Sequence, residues 1–126
     1  MKTPEDDVER RYAIWDSMQM LWMDINIDDE IESISRICAN SEYSLNQIKE
    51  IYWNEVLPAV SPNLNQVIPE WTGYKKEDLI KLVLNSHRFG KKVPSLNHNP
   101  FYAARNWKKI EKEIVRIMQS EKRYNK

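Results

Sequence analysis

Glycine and cysteine are almost missing from this chain of 126 residues, which has two glycines, Gly73 and Gly90, and one cysteine, Cys38. A lone cysteine excludes an intramolecular disulfide and fits a reducing compartment. Two isolated glycines exclude the phosphate-cradling loops of nucleotide-binding proteins, which need several glycines in one turn. Long hydrophobic runs are also lacking, since no apolar stretch approaches the roughly 20 residues of a membrane helix. The opening Met1-Lys2-Thr3-Pro4-Glu5-Asp6-Asp7 is acidic where a signal peptide is basic and then apolar. These absences predict a cytoplasmic protein with no membrane partner. The only histidines are His87 and His98. Neither pairs with the other or with Cys38 at metal-ligand spacing, so neither metal nor cofactor is expected.

What is present suits one ordinary domain, residues 1–126, with a sizeable core. Hydrophobic residues make up 41% of the chain, including five Trp and six Tyr, and charged residues 30%. The net charge is zero but unevenly spread. Residues 1–63 hold 13 acids and 5 bases, and residues 64–126 hold 6 acids and 14 bases. Such asymmetry points either to a charged partner or to two halves that attract each other within the fold.

Helix signals dominate. Thr3 is a candidate N-cap, followed by Pro4 and three acids, and Val8, Tyr12, Trp15, Met18 and Trp22 recur at steps of three and four. Asp28 caps a predicted second helix with Ile31, Ile34, Ile37 and Cys38 inward, stopping near Asn40. Ser44 and Gln47 form a capping box for a third, with Tyr43 and Ile48 as a hydrophobic staple. Its inward face is Ile48, Ile51, Tyr52 and Val56, and Pro58 is expected to end it. The prolines at 58, 62 and 69 and Gly73 predict an irregular connection. A fourth helix is expected over about residues 76–86 with Leu79, Leu82 and Val83 inward, followed by a polar loop. Asn99 caps a last helix that Pro100 opens, with Ala103, Trp107, Ile110, Ile114 and Ile117 inward. No strand pattern competes. The expected fold is an all-α, compact bundle of about five helices with non-parallel crossings.

The segments Arg11-Tyr12-Ala13-Ile14-Trp15, Leu21-Trp22-Met23-Asp24, Tyr43-Ser44-Leu45, Trp53-Asn54-Glu55-Val56-Leu57-Pro58, Pro62-Asn63-Leu64 and Glu70-Trp71-Thr72-Gly73-Tyr74 carry a resemblance. Across about residues 10–85 the chain resembles a family of small bacterial helical proteins of unknown function. That resemblance implies no reaction and no catalytic residues. In size and polarised charge the chain also resembles, by type, the immunity proteins that neutralise bacterial toxins.

The run Asp24-Ile25-Asn26-Ile27-Asp28 begins like a calcium loop, but Asp29 stands where an EF-hand needs glycine and Ser35 where it needs glutamate. It reads better as an interhelical turn. The acidic set Asp24, Asp28, Asp29, Glu30 and Glu32 complements a helix start and also offers a surface to a basic partner. We take it as the expected partner-binding site, with a cognate toxin, such as a basic nuclease, as the partner. The alternative surface is Lys75, Lys76, Lys81, Arg88, Lys91 and Lys92. With Arg105, Lys108 and Lys109 it could contact phosphates, although a neutral chain makes nucleic acid a poor expectation. Cys38 sits on an apolar helix face, where a buried and inert thiol is usual. Trp53 and Trp71 fall off the apolar stripes, with Glu55 and Glu70 near them. No nucleophile with a placed base is visible, so no enzyme is expected. A buried, desolvated pair of carboxylates in a deep pocket would speak against that expectation.

Overall fold

The computed structural model describes residues 2–22, 28–60, 74–88 and 100–120. Among them all regular structure is helical, as the sequence periodicity predicts. A 3-10 turn, Pro4–Asp6, leads into α1 (Val8–Gln19), which tightens into a second 3-10 turn, Met20–Trp22. Then come α2 (Asp28–Ala39), α3 (Leu45–Ile51), a π-helical segment (Tyr52–Val56), α4 (Leu57–Val60), α5 (Lys76–Arg88) and α6 (Pro100–Ser120). Residues 45–60 are thus one unbroken helical stretch, giving five main helices among the described residues.

The core forms where the inward faces of these helices meet. α2 and α6 share the most extensive contact, and α1 touches α2, α5 and the π segment. Ile34 and Cys38 of α2, Ile48 and Ile51 of α3, Leu79 and Val83 of α5, and Ile110 and Ile114 of α6 are all buried. Tyr52 stands at the centre. Its ring lies 5.4 Å from that of Trp107 and edge-on to Trp53 at 5.2 Å, and its hydroxyl donates to the Ala103 carbonyl at 2.8 Å. Trp53, off the expected stripe, is half-buried against this core. Trp71 lies outside the described residues, as do Gly73, residues 62–69, His98 and Asn99, on which the expected connection and cap fall.

Three expectations are corrected. Thr3 does not cap α1. Its hydroxyl donates to the Asp6 carboxylate at 3.2 Å within the 3-10 turn, and α1 begins only at Val8. On α1 the inward face is rotated from the expected stripe. Arg11, Ile14, Trp15, Met18 and then Leu21 are buried, whereas Val8 and Tyr12 are only partly covered. The hydrophobic pattern fails here because the buried face contains a charged residue. Third, Pro58 does not end its helix. The Leu57 N–H reaches back to the Tyr52 carbonyl, the wider spacing of a π turn. A proline ring inside an α-helix collides with the carbonyl four residues earlier, and the wider turn relieves that clash so the chain continues to Val60. A smaller difference is Ile37, expected inward but exposed.

The capping box is present as expected. Ser44 Oγ accepts from the Gln47 N–H at 3.2 Å, and Gln47 Oε1 accepts from the Ser44 N–H at 2.9 Å. Tyr43, immediately before it, is buried beside the core. Beyond the undescribed connection, the Tyr74 N–H donates to Gln19 Oε1 at 2.8 Å, tying the approach to α5 to the end of α1.

Candidate functional site

Arg11 is completely buried, an unusual place for a guanidinium. Its position follows from helix geometry. Asp7 lies four residues earlier, one turn below on the same face, and Ile14 and Trp15 carry that face into the core. Arg11 Nε donates to Asp7 Oδ2 at 3.1 Å, and Nη1 donates to Glu55 Oε2. Nη2 donates to the Lys2 carbonyl. The guanidinium also lies 5.9 Å from the centroid of the Tyr43 ring. Glu55 is brought in by the π segment, and its second oxygen accepts from Trp15 Nε1 at 2.9 Å. The Tyr43 hydroxyl donates to Asp7. At the rim, His87 of α5 lies 2.9 Å from Glu5.

Burial disfavours the charge of both carboxylates, but the net shifts are opposite. Burial works against the charge of Asp7. Hydrogen bonds from Tyr43 and Arg11, and the nearby charges of Arg11 and Arg10, outweigh it and hold the carboxyl below its ordinary value. For Glu55 burial wins and raises the pKa, against the Trp15 hydrogen bond and the charges of Arg11 and His87. Burial and the bond to Asp7 push the Tyr43 phenol up to about 12. Asp7 and Glu55 are thus the buried carboxylate pair that would speak for catalysis. Asp7 Oδ2 and both Glu55 oxygens, however, are engaged by Arg11, Trp15 and Tyr43, and the openings beside Asp7 are shallow, with volumes of about 260 and 210 Å³. The arrangement holds four segments of chain together: the N-terminal turn, α1, the entry to α3 and the π segment.

The sequence-predicted surfaces lie elsewhere. Asp28, Asp29 and Glu32 are exposed on the first turns of α2, with Glu30 half-exposed beside them. Asp28 pairs with Lys109 of α6 at 2.9 Å, and Glu32 with Arg36 at 2.9 Å. Asp29 and Glu30 have no ion pair among the described residues. Asp24 lies outside the described residues, as does most of the calcium-like run. Among the described residues no group of acids, histidine and cysteine could hold a metal ion. On the alternative surface Lys75, Lys76 and Lys81 are exposed, but Glu77 and Asp78 share it, and the Lys76 ammonium sits 5.1 Å from the centroid of the Tyr12 ring. The Arg88 side chain, Lys91 and Lys92 lie outside the described residues. Cys38 is buried, and burial pushes its thiol up to about 12.

Sequence reasoning passed over Arg11, Asp7 and Tyr43 as a cluster and left Glu55 without a partner. A signal existed in the Asp7–Arg11 spacing, four residues apart at a helix start. Long-range partners such as Tyr43 and Glu55 leave no such local trace.

A family described as a domain of unknown function (DUF7079) matches residues 9–120. The match extends through α6, beyond the stretch that carries the sequence resemblance. Arg11, Trp15, Tyr43 and Glu55 fall inside it, whereas Asp7 precedes it. Neither a curated protein nor a solved structure matches the chain.

Proposed function

We propose that this chain, which belongs to the family described as a domain of unknown function (DUF7079), is a non-catalytic binding protein of the immunity type. In this reading it neutralises a bacterial toxin by protein–protein contact in the cytoplasm. The observation that carries the proposal is the acidic start of α2, where Asp28, Asp29 and Glu32 project from a helix anchored along α6. Clustered acidic charge raises association rates with a basic cleft and orients the encounter, with Asp28 and Glu32 exchanging their pairs with Lys109 and Arg36 for the partner. A toxin acting on nucleic acid has such a cleft. No helix among the described residues is long and apolar enough to cross a membrane. The test is neutralisation. Co-expressed with a nuclease toxin found to be encoded beside it, the wild-type chain is expected to restore growth. The Asp29→Lys/Glu32→Lys variant, with unchanged helical content, protects poorly and associates more slowly, most visibly at low salt. Failure of the wild type to protect overturns the proposal, and an unimpaired variant removes the acidic edge from it.

One observation favours a second reading, nucleic-acid binding by the basic C-terminal half. Arg105, Lys108, Lys112 and Arg116 are exposed at helical spacing along α6, and Lys108 and Lys112 have no ion pair among the described residues. Binding to random-sequence DNA that weakens steeply with salt would support it.

A further inference from the structure

Residues 2–7 lie across the bundle as a strap with little apolar anchorage. Pro4 is its one buried hydrophobic contact, while Thr3, Glu5 and Asp6 are exposed. Polar groups supply the rest of the hold: Asp7 on Arg11 Nε and the Tyr43 hydroxyl, the Lys2 carbonyl on Arg11 Nη2, and Glu5 on His87. Short segments held this way open at a small fraction of the cost of global unfolding. With the strap lifted, Glu55 and Trp15 remain on the bundle. Glu55 still occupies Nη1, so Arg11 keeps its orientation. Nε and the Tyr43 hydroxyl are left pointing at the space Asp7 vacated, and Nη2 at the adjoining space the Lys2 carbonyl vacated. Two N–H groups of one guanidinium and a phenol beside them form a donor set shaped for a carboxylate. The opening of about 210 Å³ at this point keeps Arg10, Glu42, Tyr43 and Gln47 on the bundle side when the strap lifts, and Arg10, paired to Glu42 at 2.8 Å, is the cation at its edge. Arg11, Tyr43 and Glu55 lie inside the family match, and the strap carboxylate lies outside it.

We propose that Arg11 and Tyr43 form a carboxylate-binding site that Asp7 fills in the closed state, so that residues 2–7 act as a built-in competitor which an external carboxylate displaces. The occupant is a small carboxylic acid or the carboxylate end of a peptide. This site is separate from the acidic edge of α2, and its failure would leave that reading untouched.

Chemical rescue tests the proposal. Asp7→Ala removes the internal carboxylate and keeps the donors. Thermal unfolding of this variant in sodium acetate, against sodium chloride at equal ionic strength, is expected to show a saturable rise of about 4 °C in acetate alone. Adding Tyr43→Phe should raise the half-saturating acetate concentration several-fold. Trialanine with a free C-terminus and its C-terminal amide distinguish the sources. A chain-end site answers to the free peptide at lower concentration than to acetate, a small-acid site answers to acetate first, and the amide is inert in either case. Should Asp7→Ala not fold, wild-type protein gives the same decision through amide exchange at Thr3, Glu5, Asp6 and Asp7. Acetate or trialanine should speed it about tenfold over chloride while exchange in α6 stays constant. If acetate and trialanine act no differently from chloride, no such site exists.

Discussion

Arg11 shows how one residue can join distant parts of a chain. Its charge is matched by Asp7 and Glu55, both almost fully buried, and its removal strands two carboxylates away from water. Breaking a buried ion network from one side costs about 3–5 kcal/mol, so Arg11→Ala should lower the urea midpoint strongly. Neutralising all three groups, as Arg11→Met/Asp7→Asn/Glu55→Gln, should recover much of that loss. The same cluster sets a pH dependence. Burial raises the Glu55 pKa, so the folded state holds its proton at pH values where the unfolded chain has lost it. The stability due to Glu55 is therefore fully present below its unfolded pKa and disappears as pH rises through the folded one. Wild type should lose stability relative to Glu55→Gln across that window and then run parallel to it. Asp7 has the opposite sign. Its lowered pKa stabilises the fold at neutral pH, and that contribution is lost as pH falls through the folded value. Denaturation curves taken across pH for wild type, Glu55→Gln and Asp7→Asn separate the two. Cys38, with its thiol pushed up to about 12 by burial, should resist a thiol reagent in the folded protein and react when urea opens the core.

Among the helices, local chemistry and tertiary packing divide the work. The Ser44–Gln47 box is written in four consecutive residues, and the structure contains both of its hydrogen bonds. Ser44→Ala should cost about 1 kcal/mol, read as a shift in urea midpoint with unchanged slope. The apolar spacing of α6 likewise matches its buried face from Ala103 to Ile117, because on an otherwise polar helix the core side is unambiguous. The π segment was not legible in this way. Pro58 read locally is a stop signal, and only packing on both sides of it, Tyr52 and Val56 before and Ala59 and Val60 after, favours a widened turn over a broken helix. The misplaced stripe of α1 has a related cause. A periodicity count scores arginine as surface, and the partners that make Arg11 an interior residue come from positions 43 and 55.

Across the whole molecule, the opposite charges of the two halves are partly spent inside the fold. Asp28 meets Lys109, and the acidic Glu5 is hydrogen-bonded to the His87 imidazole. Both contacts are exposed enough for salt to screen, whereas the Arg11 network is not. Raising salt from about 0.05 to about 1 M should therefore change stability little, while slowing any association steered by the α2 acids. Equal losses in both measurements would mean that the surface pairs, and not the buried network, carry the electrostatic stability. The sequence by itself determined the helical class, the five main helices, the capping box and most of the core face of α2, α3, α5 and α6. Each depends on residues within a few positions of one another, and periods and caps record that directly. Tertiary structure alone decided that Arg11 is interior, that Asp7, Tyr43 and Glu55 converge on it, and that the helix runs through Pro58. The convergence on Arg11 depends on contacts between residues 36 and 44 positions apart, Tyr43 with Asp7 and Glu55 with Arg11. A buried charge becomes favourable only once its counter-charges arrive from elsewhere in the chain.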